Sequence, residues 1–181
     1  MSTRAAIGRV AGDTFEGRYQ HSDGYPTWLG KHFAQRAREA DDLRAFLAYV
    51  VDEHRAGWSY FGQQPGEDRC YCHPESWAPG RESEPNRGEP ITDCDLFIEW
   101  AYAINADTRA MGAWVAVPDS SRDQQQIGHG GRPYTEPGYR GQLIAIVPID
   151  DEATDWAAIE RKGGDAHESA RLSEAGKVGA R

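Results

Sequence analysis

Several features that usually reveal a protein's function are missing from this sequence. No apolar run approaches the ~20 residues that span a membrane, and the first ten residues, MSTRAAIGRV, lack the apolar core of a secretory signal. The sequence also has no Walker A, GxSxG, HExxH or dinucleotide-binding motif. We therefore expect a cytoplasmic protein without membrane association, in which binding is favoured over catalysis.

Positive charge is also scarce. The 181 residues include 20 Lys and Arg against 29 Asp and Glu, so the formal net charge is -9 and the pI is near 5.1. Proteins that bind nucleic acid in bulk use a basic surface that releases counterions from phosphates. This composition excludes that class, although a local group of arginines can still hold a small anion.

Hydrophobic residues make up only 39% of the chain, and the mean hydropathy is -0.74. A chain of this length can still bury a core without disulfides, so we expect a single domain over 1–161 that carries polar insertions at 58–90 and 120–141. A short helix is expected over 155–161. Residues 162–181 are poor in hydrophobic side chains, which predicts a flexible polar tail.

Hydrophobic periodicity predicts an α+β fold. The strongest pattern is an amphipathic helix for which Asp41 and Asp42 offer the N-cap and which stops at Gly57. Predicted strands cover 3–10, 14–21, 96–104, 111–117 and 143–149, and predicted helices cover 27–40 and 43–56. The economical assembly has two layers, with a mostly antiparallel sheet of about five strands and two consecutive helices on one face.

The stretch YQHSDGYPTWLG, residues 19–30, joins a predicted strand to a predicted helix. Gly24 is expected to supply a positive φ, Pro26 fixes its own φ, and Thr27 is expected to be the helix N-cap. A tight turn explains these three residues without any function.

The polar residues around this turn are not explained by backbone geometry. Helix N-termini hold anions through free N–H groups, and an aromatic ring can stack on a base. A cation on the first strand can reach the same end of the sheet. The predicted ligand-binding residues are Arg4, His21, Asp23, Tyr25 and Lys31.

The same features carry a family resemblance. The chain opens with Thr3 and Arg4, passes through Tyr19 and the DGYP turn to Gly30, and later contains EWAY at 99–102. In these residues it resembles a widespread family of small phage and bacterial proteins. The resemblance implies a phage or prophage origin in an actinobacterial setting and an accessory role with no assigned activity, in the host cytoplasm if the chain is phage-encoded.

Together, the turn and the resemblance favour a non-catalytic accessory protein. It is expected to bind a small anionic ligand, for instance a host-defence signalling nucleotide, or a host factor. One alternative is a nucleotide or phosphodiester hydrolase that uses His21 and Asp23, because a histidine beside a carboxylate can serve as a general base. Another is a protein-binding module that uses the aromatic loop 58–77. A homo-oligomer is also compatible with a sheet that has edges to pair.

Three cysteines in a chain without an export signal favour free thiols or metal ligands over disulfides. Cys70, Cys72, His73 and Cys94 form the alternative set of zinc ligands, with Asp93 or Asp95 as a substitute for one of them. The spacing C-x-C-H is tighter than the usual CxxC knuckle. We therefore expect no cofactor, with structural zinc as the alternative.

Overall fold

A computed structural model describes residues 3–74, 78, 80, 89–94, 97–127 and 133–178. The described strands are β1 (Ala5–Ala11), β2 (Thr14–Gln20), β3 (Trp58–Tyr60), β4 (Arg69–Cys70), β5 (Trp100–Asn105), β6 (Ala110–Pro118), β7 (Gln124–Ile127), β8 (Pro133–Glu136) and β9 (Tyr139–Pro148). The described α-helices are α1 (Lys31–Glu39), α2 (Leu43–Ala48) and α3 (Trp156–Val178). A π-helical turn, Pro26–Gly30, leads into α1, and a second, Tyr49–Glu53, continues α2.

Seven of the strands form one mixed sheet in the order β4-β3-β2-β1-β5-β6-β9, and β7 and β8 form a separate hairpin. Four pairings in the large sheet are antiparallel, while β1 with β5 and β2 with β3 are parallel. The predicted α+β class is therefore confirmed. The prediction of about five strands is too low. Strands β3 and β4 have only three and two residues, which is too short for an alternation of polar and apolar residues to show in the sequence.

The main core lies between the sheet and the helices. Along β1, Ala5 and Ile7 face this core, where Phe33 from α1 and Tyr102 from β5 are completely buried. The opposite face carries a smaller apolar cluster that includes Ala6. Residue alternation along a strand explains this division, since successive side chains point to opposite faces. The other buried members of the smaller cluster are Phe15, Cys94, Ile98, Ala101, Ala103 and Ala116.

The helix predicted over 155–161 extends well into the segment that was predicted to be a polar tail. Helix α3 runs to Val178 and therefore includes most of 162–181. Gly163 lies where a Cβ would overlap the indole of Trp100, and His167 Nδ1 donates to the carbonyl of Ala116 at 2.9 Å. Helix α3 therefore packs on the sheet, although the polar composition of this segment gives no helical pattern in the sequence.

The start of the first helical segment also differs from the prediction. Tyr25, in an extended conformation, precedes the first helical residue Pro26, so Thr27 is not the N-cap. The Thr27 hydroxyl instead donates to Glu160 Oε2 at 2.7 Å and ties this turn to α3. Of the two residues predicted to offer the next N-cap, Asp41 and Asp42, the N-cap is Asp42, whose carboxylate accepts from the N–H groups of Arg44 and Ala45.

Among the residues that the structure describes, no helix combines the length and the apolar character needed to cross a membrane.

Candidate functional site

The DGYP turn is fixed by contacts with the centre of the sheet. The buried Tyr102 hydroxyl donates to the Gly24 carbonyl at 2.8 Å, and the Gly24 N–H donates to the Thr3 carbonyl at 2.9 Å. A Cβ on Gly24 would lie 2.8 Å from the Cβ of Ala5, so glycine is needed for this close approach. The positive φ of 57° belongs to Asp23, which corrects the expectation for Gly24.

The predicted binding residues around this turn occupy different surroundings. His21, Asp23, Tyr25 and Lys31 are all exposed, with Tyr25 at 40%. The guanidinium of Arg4 lies 5.9 Å from the ring centroid of Phe97. Of the five residues, His21 lines a large cavity beside the turn, whereas the other four are not among the residues that line it.

This cavity, the β2 cleft, has a volume of 440 Å³. Strand β2 and the adjoining His21 form one wall, while the turns at 55–57 and 71 form the opposite wall. The polar and aromatic side chains that line it are Arg18, Tyr19, His21, Arg55, Tyr71 and Glu89. Apart from His21, sequence reasoning missed these residues, because they come from separate segments that only the tertiary structure brings together.

Gly57 sets the width of the β2 cleft. Its φ is +79°, and a Cβ there would lie 2.8 Å from the carbonyl oxygen of Tyr19, so the turn approaches β2 as closely as only glycine allows. The Gly57 N–H donates to the carbonyl of His54 at 2.9 Å, and the Gly57 carbonyl accepts from the Tyr71 N–H at 3.0 Å. These bonds place Arg55 and Tyr71 opposite β2.

Among the described residues that line the β2 cleft, positive charges outnumber negative ones. Two guanidinium groups, from Arg18 and Arg55, line it together with one carboxylate, from Glu89. Arg18 is buried and its Nε donates to the carbonyl of Val51 at 2.7 Å. Burial lowers the pKa of Arg18 and the nearby charge of Arg55 lowers it further, while the charge of Asp52 acts in the opposite direction. A bound anion would offset both lowering effects.

Tyr19 and His21 form a hydrogen-bonded pair at the end of β2. The Tyr19 hydroxyl lies 2.8 Å from His21 Nδ1, and burial raises the pKa of Tyr19. The hydrolase hypothesis requires His21 and Asp23 to share one face. Strand β2 ends at Gln20 and Asp23 has a left-handed backbone, so strand alternation does not place them together.

A second cavity of 440 Å³ lies on the same face of the sheet as the smaller apolar cluster, between Asp93, Phe97, Arg122 and Tyr139. Arg122 forms an ion pair with Asp93, and its Nε lies 3.7 Å from a carboxylate oxygen of Asp119. The positive charge in this cavity is therefore balanced by the protein itself. It is a poorer anion site than the β2 cleft.

The cysteines divide into two places. Cys94 belongs to the smaller apolar cluster, away from the other two, so the predicted zinc set with Cys94 does not assemble. Cys70 and Cys72 instead lie near His54, and Cys70 Sγ is 3.2 Å from His73 Nδ1. His54 comes from the end of the α2 segment, and no sequence spacing connects it with the cysteines. Asp95 lies outside the described residues.

The aromatic loop 58–77 contributes mainly to the core. Trp58 and Phe61 are 0% and 1% exposed, so their rings are not available to a partner. Tyr60 and Tyr71 are half-buried, and Tyr71 lines the β2 cleft. Trp77 lies outside the described residues, as do 81–88 of the first insertion and 128–132 of the second.

No family model, no curated protein and no solved structure matches this chain. The resemblance to small phage and bacterial proteins stays a prediction. The geometry of the β2 cleft and the cysteine cluster therefore carries the functional argument.

Proposed function

We propose that this protein binds a small anionic ligand with an aromatic portion, of the nucleotide type, in the β2 cleft and leaves it chemically unchanged. The observation that carries the proposal is the buried Arg18, which lines an open cavity together with Arg55 and two tyrosines. An anion in the cleft would lie between these two arginines and the two aromatic rings.

The size and chemistry of the cleft fit this ligand class. Its 440 Å³ falls within the roughly 300–1,000 Å³ of small-molecule sites. Guanidinium groups offer several N–H donors in a fixed plane that suits phosphate oxygens. The rings of Tyr19 and Tyr71 offer surfaces on which a base can stack. Glu89 can accept from the exocyclic amine or ribose hydroxyl of such a ligand.

The biological form of the proposal is interference with host defence by sequestration of a signalling nucleotide. It is supported by the phage-type resemblance and by the two arginines and two tyrosines among the described residues that line the cleft. A ligand that is held and not converted would be removed from its receptor in proportion to the amount of protein.

The test is direct binding. Protein purified from an expression host is denatured, and the released small molecules are identified by mass spectrometry. The folded protein is also titrated by calorimetry with cyclic dinucleotides and ADP-ribose. We expect at least one of these nucleotides to bind, and Arg55→Gln to weaken it by about 10- to 100-fold, which corresponds to the roughly 1.5–3 kcal/mol of a charged hydrogen bond.

Two further variants locate the site. Arg161→Gln removes an exposed arginine on α3 and should leave the affinity unchanged. Tyr25→Ala distinguishes the β2 cleft from the turn itself, since Tyr25 does not line the cleft. Loss of binding in Tyr25→Ala with full binding in Arg55→Gln would move the site to the turn, and failure of every nucleotide to bind would refute the proposal.

A time course distinguishes the hydrolase alternative from simple binding. A ligand incubated with the protein should be recovered intact after hours, whereas an enzyme that uses His21 and Asp23 would convert it. Turnover that disappears in His21→Ala would replace binding with catalysis as the function.

A further inference from the structure

Two cysteines and two histidines meet beside the β2 cleft. One donor atom from each of His54, Cys70 and Cys72 lies within 4.8 Å of the other two. His73 joins them, since its Nδ1 lies 3.2 Å from Cys70 Sγ and its ring centroid lies 5.6 Å from that of His54. We propose that these four residues, the His54 cluster, bind a zinc ion in a tetrahedral structural site.

The donor set matches the chemistry of zinc. Two thiolates and two imidazoles form one of the usual structural zinc sites. Zinc–sulfur and zinc–nitrogen bonds of about 2.3 and 2.0–2.1 Å place neighbouring tetrahedral donors about 3.3–3.8 Å apart. The donor atoms of His54, Cys70 and Cys72 lie within 4.8 Å of one another, and His73 Nδ1 lies 3.2 Å from Cys70 Sγ. Three donors therefore already surround one position, and His73, which lies beside Cys70, supplies the fourth ligand of the proposed site.

Two independent observations support a metal ion at this position. His54 Nδ1 is buried and has no hydrogen-bond partner within the described part of the chain, an arrangement that ordinarily costs about 1–3 kcal/mol. A cation bound to this nitrogen would remove the penalty. In addition, the Ala56 N–H donates to Cys72 Sγ at 3.3 Å. Such outer hydrogen bonds orient the ligands of metal sites.

A nucleophilic role for these thiols is disfavoured. Cys70 and Cys72 are each 5% exposed, and burial raises the pKa of the Cys70 thiol to about 11 in the metal-free protein. A reactive cysteine needs a lowered pKa and an approach for substrate. Four protein ligands also leave no open position on the ion, so the site is structural and not catalytic.

The zinc ion would order a part of the sheet that is weak by itself. Strands β3 and β4 have three and two residues and are paired through Trp58 with Cys70 and Tyr60 with Arg69. The His54 cluster joins the turn before β3 to the turn after β4. These turns carry Arg55 and Tyr71, so zinc would also fix one wall of the β2 cleft, a consequence that rests on the proposed function.

The experiment measures metal content. The full chain is expressed in zinc-supplemented medium, purified under reducing conditions without chelator and analysed by mass spectrometry for bound metals. We expect about one zinc per chain. Cobalt(II) substitution should give the intense visible bands of a tetrahedral ion and the charge-transfer bands of thiolate ligands. A folded protein that contains no metal and does not take up cobalt would overturn the proposal and leave two buried thiols.

Matched variants identify the ligands. His54→Asn and Cys72→Ala should each lower the affinity for zinc by roughly 100-fold or more. This loss exceeds the roughly 10- to 100-fold that follows when only a hydrogen bond to a ligand is removed. Cys94→Ala removes an equally buried thiol outside the His54 cluster and should keep full zinc content. Zinc that is lost in Cys94→Ala and retained in His54→Asn would overturn this ligand set.

Two measurements keep the result interpretable if a ligand variant unfolds. In the unmodified folded protein, zinc should protect two of the three thiols from a thiol reagent, and chelator should expose them. Unchanged thiol reactivity on zinc removal would contradict the proposal. Nucleotide affinity is measured separately, before and after zinc removal. The zinc proposal therefore remains tested by metal content even if no nucleotide binds. A nucleotide that binds the metal-free protein with full affinity would reject only the proposed effect of zinc on the β2 cleft.

Discussion

At the scale of single residues, Asp23 and Gly24 share one turn but meet different demands. Asp23 has the left-handed backbone, with φ of 57°. Gly24 has no such requirement and is needed because its Cα lies against Ala5 and Thr3. A replacement of Asp23 therefore alters backbone energy as well as charge, and a binding defect in Asp23→Ala would not by itself identify a ligand contact.

We expect Asp23→Ala to lower the free energy of unfolding by about 1 kcal/mol, since a left-handed conformation is unfavourable for L-residues other than Asn and Asp. Asp23→Asn keeps the local hydrogen-bonding capacity and should be nearly neutral. Urea unfolding of both variants measures the difference through the midpoint at constant slope. Equal midpoints for the two variants would show that the backbone of Asp23 does not determine its identity.

His32 gives stability a dependence on pH. Its ring packs edge-on to Trp28 with centroids 4.4 Å apart, and its Nδ1 is buried without a hydrogen-bond partner among the described residues. Burial lowers its pKa, and the charge of Lys31 lowers it further while Glu67 acts in the opposite direction. The folded protein therefore favours neutral His32.

The sign of the effect follows from linkage. Above the unfolded pKa of about 6.5, His32 is neutral in both states and the stability is fully present. As the pH falls below that value, the unfolded chain binds the proton more readily, so stability declines towards the lower folded pKa. Between pH 7.5 and pH 5, we expect the free energy of unfolding to fall less in His32→Gln than in the parent protein, as measured by urea unfolding. Parallel profiles for variant and parent would contradict this assignment.

At the scale of elements, α3 is held by the fit of small residues against large rings. A Cβ on Gly163 would overlap Trp100, whereas a Cβ on the adjacent Gly164 would meet nothing within 4 Å. Near the start of α3, Trp156 packs on Gly30, where a Cβ would lie 3.2 Å from its ring. The helix therefore depends on particular contacts more than on a broad apolar face.

These two neighbouring glycines give a matched pair of substitutions. Gly164→Ala should stabilise the protein by about 0.5–1 kcal/mol, because alanine loses less entropy in a helix. Gly163→Ala gains the same propensity but should destabilise by about 1–3 kcal/mol in total, because Trp100 must move. Urea unfolding measures both. A stabilising effect of both substitutions would mean that α3 does not pack on Trp100 in solution.

The elements that the sequence predicted are those with a regular pattern. The β1–β2 hairpin was predicted to within two residues, because Gly12 marks the turn with a φ of +60° between two β-compatible runs. The apolar runs similarly predicted β6 and the C-terminal half of β9. Strands β3 and β4 were missed because their short segments show no alternation. The start of α3 was predicted as a short helix over 155–161, but its extension was not, because its contacts are made by Gly163 and polar His167.

The candidate site was predictable only in part. His21 was found because it stands beside a turn rich in polar residues. Arg18, Arg55 and Tyr71 were not found, because their convergence depends on the Gly57 backbone approaching Tyr19 and bonding to Tyr71. No local pattern records such a contact between distant segments. The same reason hid His54, which tertiary structure alone brings to Cys70 and Cys72.

At the scale of the whole molecule, the sheet divides the protein into two unequal halves. The helices cover one face, and the smaller apolar cluster occupies the other. Strand β9 lies at one edge of the sheet, where Leu143 and Ile146 are 45% and 67% exposed. Exposed apolar residues on an edge strand favour pairing with another chain, which is where the predicted homo-oligomer would form.

The central strand β1 has a consequence for biosynthesis. Its second neighbour β5 pairs with it in parallel from Ala5 with Trp100 onward, across 95 positions of sequence. At about 5–20 residues per second, a ribosome needs roughly 5–20 s after β1 to complete β5. During that interval the edge of β1 that later pairs with β5 remains unpaired, although β2, α1 and α2 have already been synthesised. The growing polypeptide therefore offers chaperones a window in which the middle of its future sheet is still an open edge.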